Sequence, residues 1–562
     1  MKQKRKFLAW LLLLAMVFTS IPAIPAKAEV AADKVINALD YGVDPTGETD
    51  STKAIWEALQ AAKEAEADGS SVTLVFPEGE YHIYKDYAQK RNYHTSNTNS
   101  IENPVKTIGL LIEDHENLTI EGNGSLFMMH GNMMALAVVK SKNITLKDFA
   151  WDFAVPTVVE MTVTKVEGNY TEYYIPDCFP HTVSGNTIKW SSDLSPYTGQ
   201  PYWSGWGHEP DGKSTYGVVG YHPEDEMVRT YYPSDGPLGN VSRIEEIDEN
   251  NVRVYYSSRS GAQRQNQKEG TIFELCGNAH RETAGAFTWE SENVNVEDVN
   301  VHFMHGFGWL IQMSKDVFYR RCNLVPRENS GHTTVSFADG IHASGAAGQL
   351  LFEDCNFANT HDDPLNLHGT FTRVEGKSGD YTLTLKYIHG QQGGFTQYHV
   401  GDKVQFFTRD TLESTDNETM YTVAEVVQDT DASSDKRTMI IRFEEKLPAN
   451  LTDRVSGEPK YVAENVTYAP AVTVRNCTFK NVGTRGVLCT TRNKVIIENN
   501  IFYNMPMATI YLSNDSGDWY ESGPIRDMTI RNNIFYIKDI GRTAWNTAPA
   551  IYVHPVTKGG GL

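Results

Sequence analysis

The sequence predicts an all-β protein: a parallel β-helix solenoid with a helix capping its amino-terminal end and two small β-barrel-like subdomains inserted between coils. Three observations predict it. A short motif recurs, a Gly or Pro step followed by alternating aliphatic residues, in "GFGWLIQMS", "ADGIHASG", "DDPLNLHG", "TRGVLCTT", "MATIYLSN" and "PAIYVHP". Where nothing intervenes, its copies fall one solenoid turn apart, 24 residues from Ile341 to Leu365 and 23 from Val487 to Ile510. Two longer stretches break the ladder with hairpin patterns of their own.

Residues 1–28 read as a secretory signal. A basic start (Lys2, Lys4, Arg5, Lys6) precedes an apolar run from Phe7 to Phe18 and a small-x-small cleavage site at Ala26-Lys27-Ala28. The mature chain is expected to begin near Glu29 and to be exported, extracellular or at the cell surface. No later stretch has the ~20 apolar residues of a spanning helix, so membrane insertion is not expected.

Residues 29–155 read as the cap and first coils. A turn-rich lead-in gives way to an N-cap candidate at Asp50 or Ser51, a helix with Ile55, Leu59 and Ala62 on one side, and a strand ended by Pro77-Glu78-Gly79. An open solenoid end needs covering, and an amphipathic helix covers it. Residues 156–275 form the first insert, 276–375 the coils that carry the chemistry, 376–464 the second insert and 465–562 the last coils. In the ladder segments, strands such as "NLTIEGNG", "NVNVEDVNVHF" and "KVIIENNIFYN" alternate with period two, so one face is buried. The first insert holds the aromatic loop "YTGQPYWSGWGHEP", where Trp203 and Trp206 are candidates for stacking on a sugar or for packing within the loop.

A formal charge of -21 opposes binding to nucleic acid or to anionic membranes. The six cysteines are scattered. Cys322, Cys355 and Cys477 stand in matching contexts ("RRCNL", "FEDCNF", "VRNCTF") and read as small buried ladder residues; a Cys322–Cys355 bridge is the alternative.

The chemistry gathers in "SFADGIHASGAAGQLLFEDCNFANTHDDPLNLHGTF". Aligned on the motif, Asp339 and Asp363 occupy one slot on successive coils, Arg485 takes it on the next, and Asp362 lies one residue aside. Parallel strands lie ~4.8 Å apart, so carboxyl groups and guanidinium form a short row. The alignment puts His342, Asn366 and Tyr511 in one outward row, and Ser344, His368, Thr490 and Ser513 in another. A lone aspartate in a solenoid turn caps backbone N–H groups. Three together raise at least one pKa and set an acid beside a base, the division of labour that glycosidic hydrolysis requires. The catalytic candidates are therefore Asp339, Asp362 and Asp363, and the substrate-binding candidates His342, His361, Asn366, His368 and Arg485. A metal reading draws on His342, His361, Asp362 and Asp363. No spacing is a specific metal motif, so neither metal nor cofactor is expected.

The lead-in resembles the N-terminal cap of right-handed parallel β-helix enzymes that act on polysaccharides. With "TIGLLIEDHENLTIEGNGSLFMMHG", "FADGIHASG" and "THDDPLNLHGTF", the chain resembles glycoside hydrolase family 110 from its cap to its last coils. That family comprises exo-acting α-galactosidases that remove terminal α-1,3-linked galactose, including the blood group B determinant. The resemblance implies a right-handed β-helix carrying two β-barrel subdomains and metal-free hydrolysis with inversion. It makes Asp362 the general acid, with Asp339 and Asp363 holding and activating water. "DDPLN" departs from the family's usual "DDAIN", which bears on sugar and linkage preference. Two alternatives stand beside this reading: a polygalacturonase-like hydrolase or calcium-dependent lyase, and a noncatalytic carbohydrate-binding solenoid. The sequence carries no Gly-His-Gly element of the polygalacturonase kind, and it leaves the oligomeric state open.

Overall fold

The computed structural model describes residues 33–205, 215–277, 281–415, 418–538 and 549–558. The expected signal segment and Trp206 lie outside them.

Every second residue of a strand points to one side, and the solenoid turns that side inward on three stacked parallel ladders. The ladder built from the recurring motif pairs Trp309 with Ile341, Ile341 with Leu365, Leu365 with Val487, Val487 with Ile510 and Ile510 with Ile551. The coils therefore stack in the register that the motif alignment gives. A second ladder passes through Val296, Tyr319, Phe352, Val474 and Ile497. A third passes through Leu324, Phe357, Phe479, Phe502 and Phe535. Their inward side chains form one continuous apolar core.

The Asn/Asp-rich step after each second-ladder strand is the solenoid corner. Asp298, Asp354, Asn476, Asn499 and Asn532 all hold φ between 55° and 57°, the left-handed region that these short polar side chains tolerate best after glycine. They also bond from coil to coil, as when Asn476 Nδ2 donates to Asp354 Oδ1 at 3.0 Å. Cys322, Cys355 and Cys477 follow this corner, buried and, like all six cysteines, free. Each is a ladder residue, so the alternative of a Cys322–Cys355 bridge does not hold.

The third ladder ends in a stack of phenylalanines, with ring centroids 5.0 Å apart for Phe357–Phe479, 4.7 Å for Phe479–Phe502 and 5.3 Å for Phe502–Phe535. Phe479 sits inside that stack, fully buried. Its replacement by alanine is expected to cost about 3–5 kcal/mol, read by denaturant titration of the last coils.

The helix Thr52–Glu66 covers the amino-terminal end with Ile55, Ala58, Leu59 and Ala62 buried. Ser51 is its N-cap residue, and Asp50 Oδ1 accepts the Thr52 N–H at 2.8 Å.

The first insert contains a seven-stranded antiparallel sheet running from Val158–Val166 to Ile272–Gly277, with a core of its own. Trp203 is buried in that core. This corrects its candidacy for sugar stacking, because a closed core has no face to offer a ligand.

The second insert grows out of the ladder. The strand Leu365–Ser378 pairs in parallel with the solenoid at Leu365–His368, then turns antiparallel against Val462–Glu464 and against Thr382–Lys386. Six antiparallel strands close on one another there, around a core of Leu383, Tyr387, Phe406 and Ile441.

Candidate active site

Asp339 ends the turn before the strand Ile341–Glu353, Asp362 and Asp363 end the turn before Leu365–Ser378, and Arg485 precedes Val487–Cys489. Glycine marks two of these turns because the coils nearly touch there. A Cβ on Gly340 would stand 2.6 Å from the Pro364 carbonyl oxygen, and one on Gly486 would stand 2.8 Å from that of Thr509. The glycine steps of the recurring motif are thus points of closest coil approach.

The three aspartates converge, with one oxygen from each lying within 4.8 Å of the others. Arg485 joins them: its Nε donates to Asp363 Oδ1 at 2.8 Å and its Nη2 to Asp362 Oδ1 at 3.4 Å. Thr484 Oγ1 adds a 3.3 Å bond to Asp363 Oδ1, while Asp363 Oδ2 is buried without a partner. Asp339 is 3% exposed and Asp363 1%, whereas the Asp362 side chain is 34% exposed. Burial, with Asp362 and Asp363 as like-charged neighbours, pushes the Asp339 carboxyl well above the usual range. Burial pushes Asp363 up to about 7 against the pull of Arg485, and Arg485 itself is held firmly protonated by the carboxylates.

The trio opens into a pocket lined also by Asn97, Arg281, Phe307, Asn366, Trp519 and Glu521. Asn366 Oδ1 is buried without a partner. Burial pushes the Glu521 carboxyl up to about 8. The strand Glu521–Ser522 pairs antiparallel with Gly369–Thr370, which brings the C-terminal loop over the aspartates. Sequence reasoning missed Asn97, Arg281 and Trp519, on connecting segments, and Glu521, on a two-residue strand; none carries a periodic signal. A larger groove on the first insert, lined by His222, Glu224, Asp225, Arg229, Tyr231 and Asp235, shares no residue with this pocket, and among the described residues its acids do not converge as the trio does.

Of the expected sugar contacts, Asn366 and Arg485 line the pocket and the three histidines do not. His342 lies fully buried behind Asp339, its Nδ1 2.7 Å from Asp339 Oδ2 and its Nε2 2.9 Å from His368 Nε2. His368 Nδ1 lies 2.6 Å from the Gly369 carbonyl. The outward face of that strand is covered: Ser96 reaches Ser344 Oγ at 2.9 Å, and its N–H donates to Gln312 Oε1 at 2.8 Å. His361 turns away to Glu274 of the first insert at 2.7 Å. The ligand set His342, His361, Asp362 and Asp363 is therefore not assembled, since both histidines are engaged elsewhere; the oxygens that do converge are those of the trio.

Both inserts brace the pocket. Glu274 holds His361, the residue before Asp362, and Thr333 bridges Glu274 to Glu160 at 2.6 and 2.9 Å. Burial first, then the neighbouring Glu274, pushes Glu160 up to about 7. From the second insert, His389 packs on Trp519 with ring centroids 4.1 Å apart, and Gln392 donates to the Trp519 carbonyl at 3.3 Å.

Comparison with known proteins agrees with this architecture. Residues 35–145 match the model for rhamnogalacturonase A/epimerase, pectate lyase-like, residues 382–454 that for GLAA-B beta-barrel domain II, and residues 462–551 that for the right-handed beta helix region. An alpha-1,3-galactosidase A of Streptomyces avermitilis is 36% identical over 541 residues, covering 95% of this chain and 82% of the relative. One of Peterkaempfera griseoplana is 33% identical, covering 89% and 68%. One of Bacteroides fragilis is 31% identical, covering 95% and 82%. With a right-handed β-helix, the barrel insert and relatives of this closeness along nearly its whole length, the chain belongs to the alpha-1,3-galactosidase family of glycoside hydrolases.

Proposed function

We propose that this protein is an exo-acting hydrolase that releases terminal α-1,3-linked galactose from oligosaccharides or glycoconjugates, with inversion, using Asp339, Asp362 and Asp363. The observation that carries the proposal is the convergence of these three carboxyl groups on one pocket in a chain of this family. Asp339 and Asp363 sit side by side on successive coils and hold one water between them. As that water attacks the anomeric carbon, a proton passes from it to Asp363. The glycosidic C–O bond breaks and Asp362, the solvent-facing member, gives its proton to the leaving oxygen. Walls from Trp519 and Arg281 suit an end-on mode of attack in which one sugar is enclosed. The signal-like residues 1–28 support export of the enzyme as a non-membrane protein, and no helix of the described residues is long and apolar enough to cross a membrane.

A retaining reaction is the second reading, favoured by one distance. The trio's oxygens lie within 4.8 Å, nearer the about 5–5.5 Å of retaining pairs than the about 6.5–9.5 Å of usual inverting ones. The first-formed anomer separates the two. Proton NMR of an α-1,3-galactosyl disaccharide and the B trisaccharide, with EDTA present, is expected to show β-galactose first. Initial α-galactose means retention, activity only without EDTA means a metal participates, and no release from either sugar overturns the substrate assignment.

A further inference from the structure

Behind the pocket, out of its lining, runs a chain of hydrogen bonds whose polarity is fixed at its far end. His368 Nδ1 lies 2.6 Å from the Gly369 carbonyl. A carbonyl only accepts, so this nitrogen carries a hydrogen. Burial depresses His368 to about 4, which leaves the ring neutral near pH 7 and its Nε2 bare. That nitrogen is an acceptor, and His342 Nε2, 2.9 Å away, must donate to it. Glu521 Oε1 stands 3.3 Å from the same His368 nitrogen. With its carboxyl pushed up to about 8, Glu521 is neutral there and, unlike a carboxylate, does not draw the hydrogen of His368 onto that nitrogen.

His342 in turn has one hydrogen to place, and it is already on Nε2. Burial holds His342 well below the usual range, helped by His368 and by the positive charge of Arg281. Its Nδ1 is therefore bare, and the 2.7 Å contact with Asp339 Oδ2 needs a hydrogen from the carboxyl side. The other groups facing Asp339 are Asp362, Asp363, Arg281 and Arg485; burial and the neighbouring acids oppose a negative charge on it, against the pull of the two arginines.

We propose that Asp339 works as a neutral carboxylic acid, its proton locked into the relay Asp339 Oδ2–H to His342 Nδ1, His342 Nε2–H to His368 Nε2, and His368 Nδ1–H to the Gly369 carbonyl. His342 and His368 are positioning residues that choose which carboxyl group of the trio accepts the proton of water. This rests on the hydrolytic reading above and refines it: Asp339 orients the water through its free carbonyl oxygen, and Asp363 alone is the base. Two adjacent carboxylates would raise each other's pKa; removing the charge from Asp339 keeps Asp363 ionised to lower pH.

Neutron diffraction from crystals exchanged into D2O reads the relay without any substrate. Deuterium on Asp339 Oδ2 and on His342 Nε2, with none on His342 Nδ1, is the expected map. Deuterium on both His342 nitrogens overturns the proposal, since Asp339 is then the anion of an ion pair. Kinetics supply a second reading. His368→Leu removes the acceptor and frees His342 to carry its hydrogen on Nδ1, so that Asp339 gives its proton to solvent and accepts from Nδ1 as an anion. The acidic limb of kcat/KM is then expected to move up by about one pH unit, tenfold in proton concentration. His368→Gln keeps an acceptor near the Nε2 position and is expected to hold the limb where the wild type has it. Equal loss of rate at every pH in both variants, with no shift of the limb, assigns the histidines to packing and overturns the relay. A chain inactive on α-1,3-galactosides sinks the substrate reading, while the deuterium map still decides this one.

Discussion

Asp362→Asn is expected to lower kcat on an α-1,3-galactosyl disaccharide by about 10²–10⁴, the usual contribution of a general acid, and to lower it far less on a nitrophenyl α-galactoside. A nitrophenolate leaves without help, so it does not need the proton that Asp362 supplies to a sugar oxygen. Asp363→Asn is expected to fail on both substrates alike, because a leaving group cannot replace the base that takes the proton of water. The geometry motivates this division. The Asp362 side chain is 34% exposed, within reach of a leaving oxygen, whereas Asp363 is buried, pinned at Oδ1 by Arg485, with Oδ2 unpartnered. Parallel kcat measurements on the two substrates check it, and an equal loss on both for Asp362→Asn would remove Asp362 from the acid's role.

The second large effect concerns Arg485→Leu. Breaking a buried ion pair from one side typically costs about 3–5 kcal/mol. Here the guanidinium is 23% exposed, so about 2–3 kcal/mol is expected after solvent screening. The cost should depend on pH with a definite sign. Asp363 already has its folded pKa raised, to about 7 from an ordinary 3.8. Its contribution to stability is thus complete below the unfolded value and is lost as pH rises through about 7. Without Arg485 the folded pKa rises further, so the variant should unfold most readily relative to wild type above pH 7 and approach it toward pH 4. Denaturant midpoints across that range test this. Activity at neutral pH should fall with the protonation of Asp363, and a pH-independent stability gap would show that Arg485 does not act through Asp363.

The ladder was legible because its signal is periodic. Trp309, Ile341, Leu365, Val487, Ile510 and Ile551 each follow a Gly, Pro or small-residue step, and the same residues pair coil upon coil. The convergence of Asp339, Asp362 and Asp363 followed directly from that register. The surroundings of the trio were not legible, for a different reason. Period-two alternation tells whether a side chain points out of its own coil, not whether another segment covers it. His342 and His368 point outward as expected, yet the segment around Ser96 and the C-terminal strand at Glu521 lie over that face. Arg281, Asn97 and Trp519 are set by tertiary contacts of loops, which leave no repeat to read.

The wall formed by Trp519 and Glu521 has a consequence for the order in which the molecule becomes active. A solenoid can add coils one after another as its chain emerges, and by residue 363 all three aspartates are already stacked. The lid of the pocket arrives some 150 residues later, when Glu521–Ser522 docks beside Gly369–Thr370. A nascent chain would thus carry an assembled but roofless set of acids, open to bulk water and unable to enclose a sugar, until that distant strand has been made.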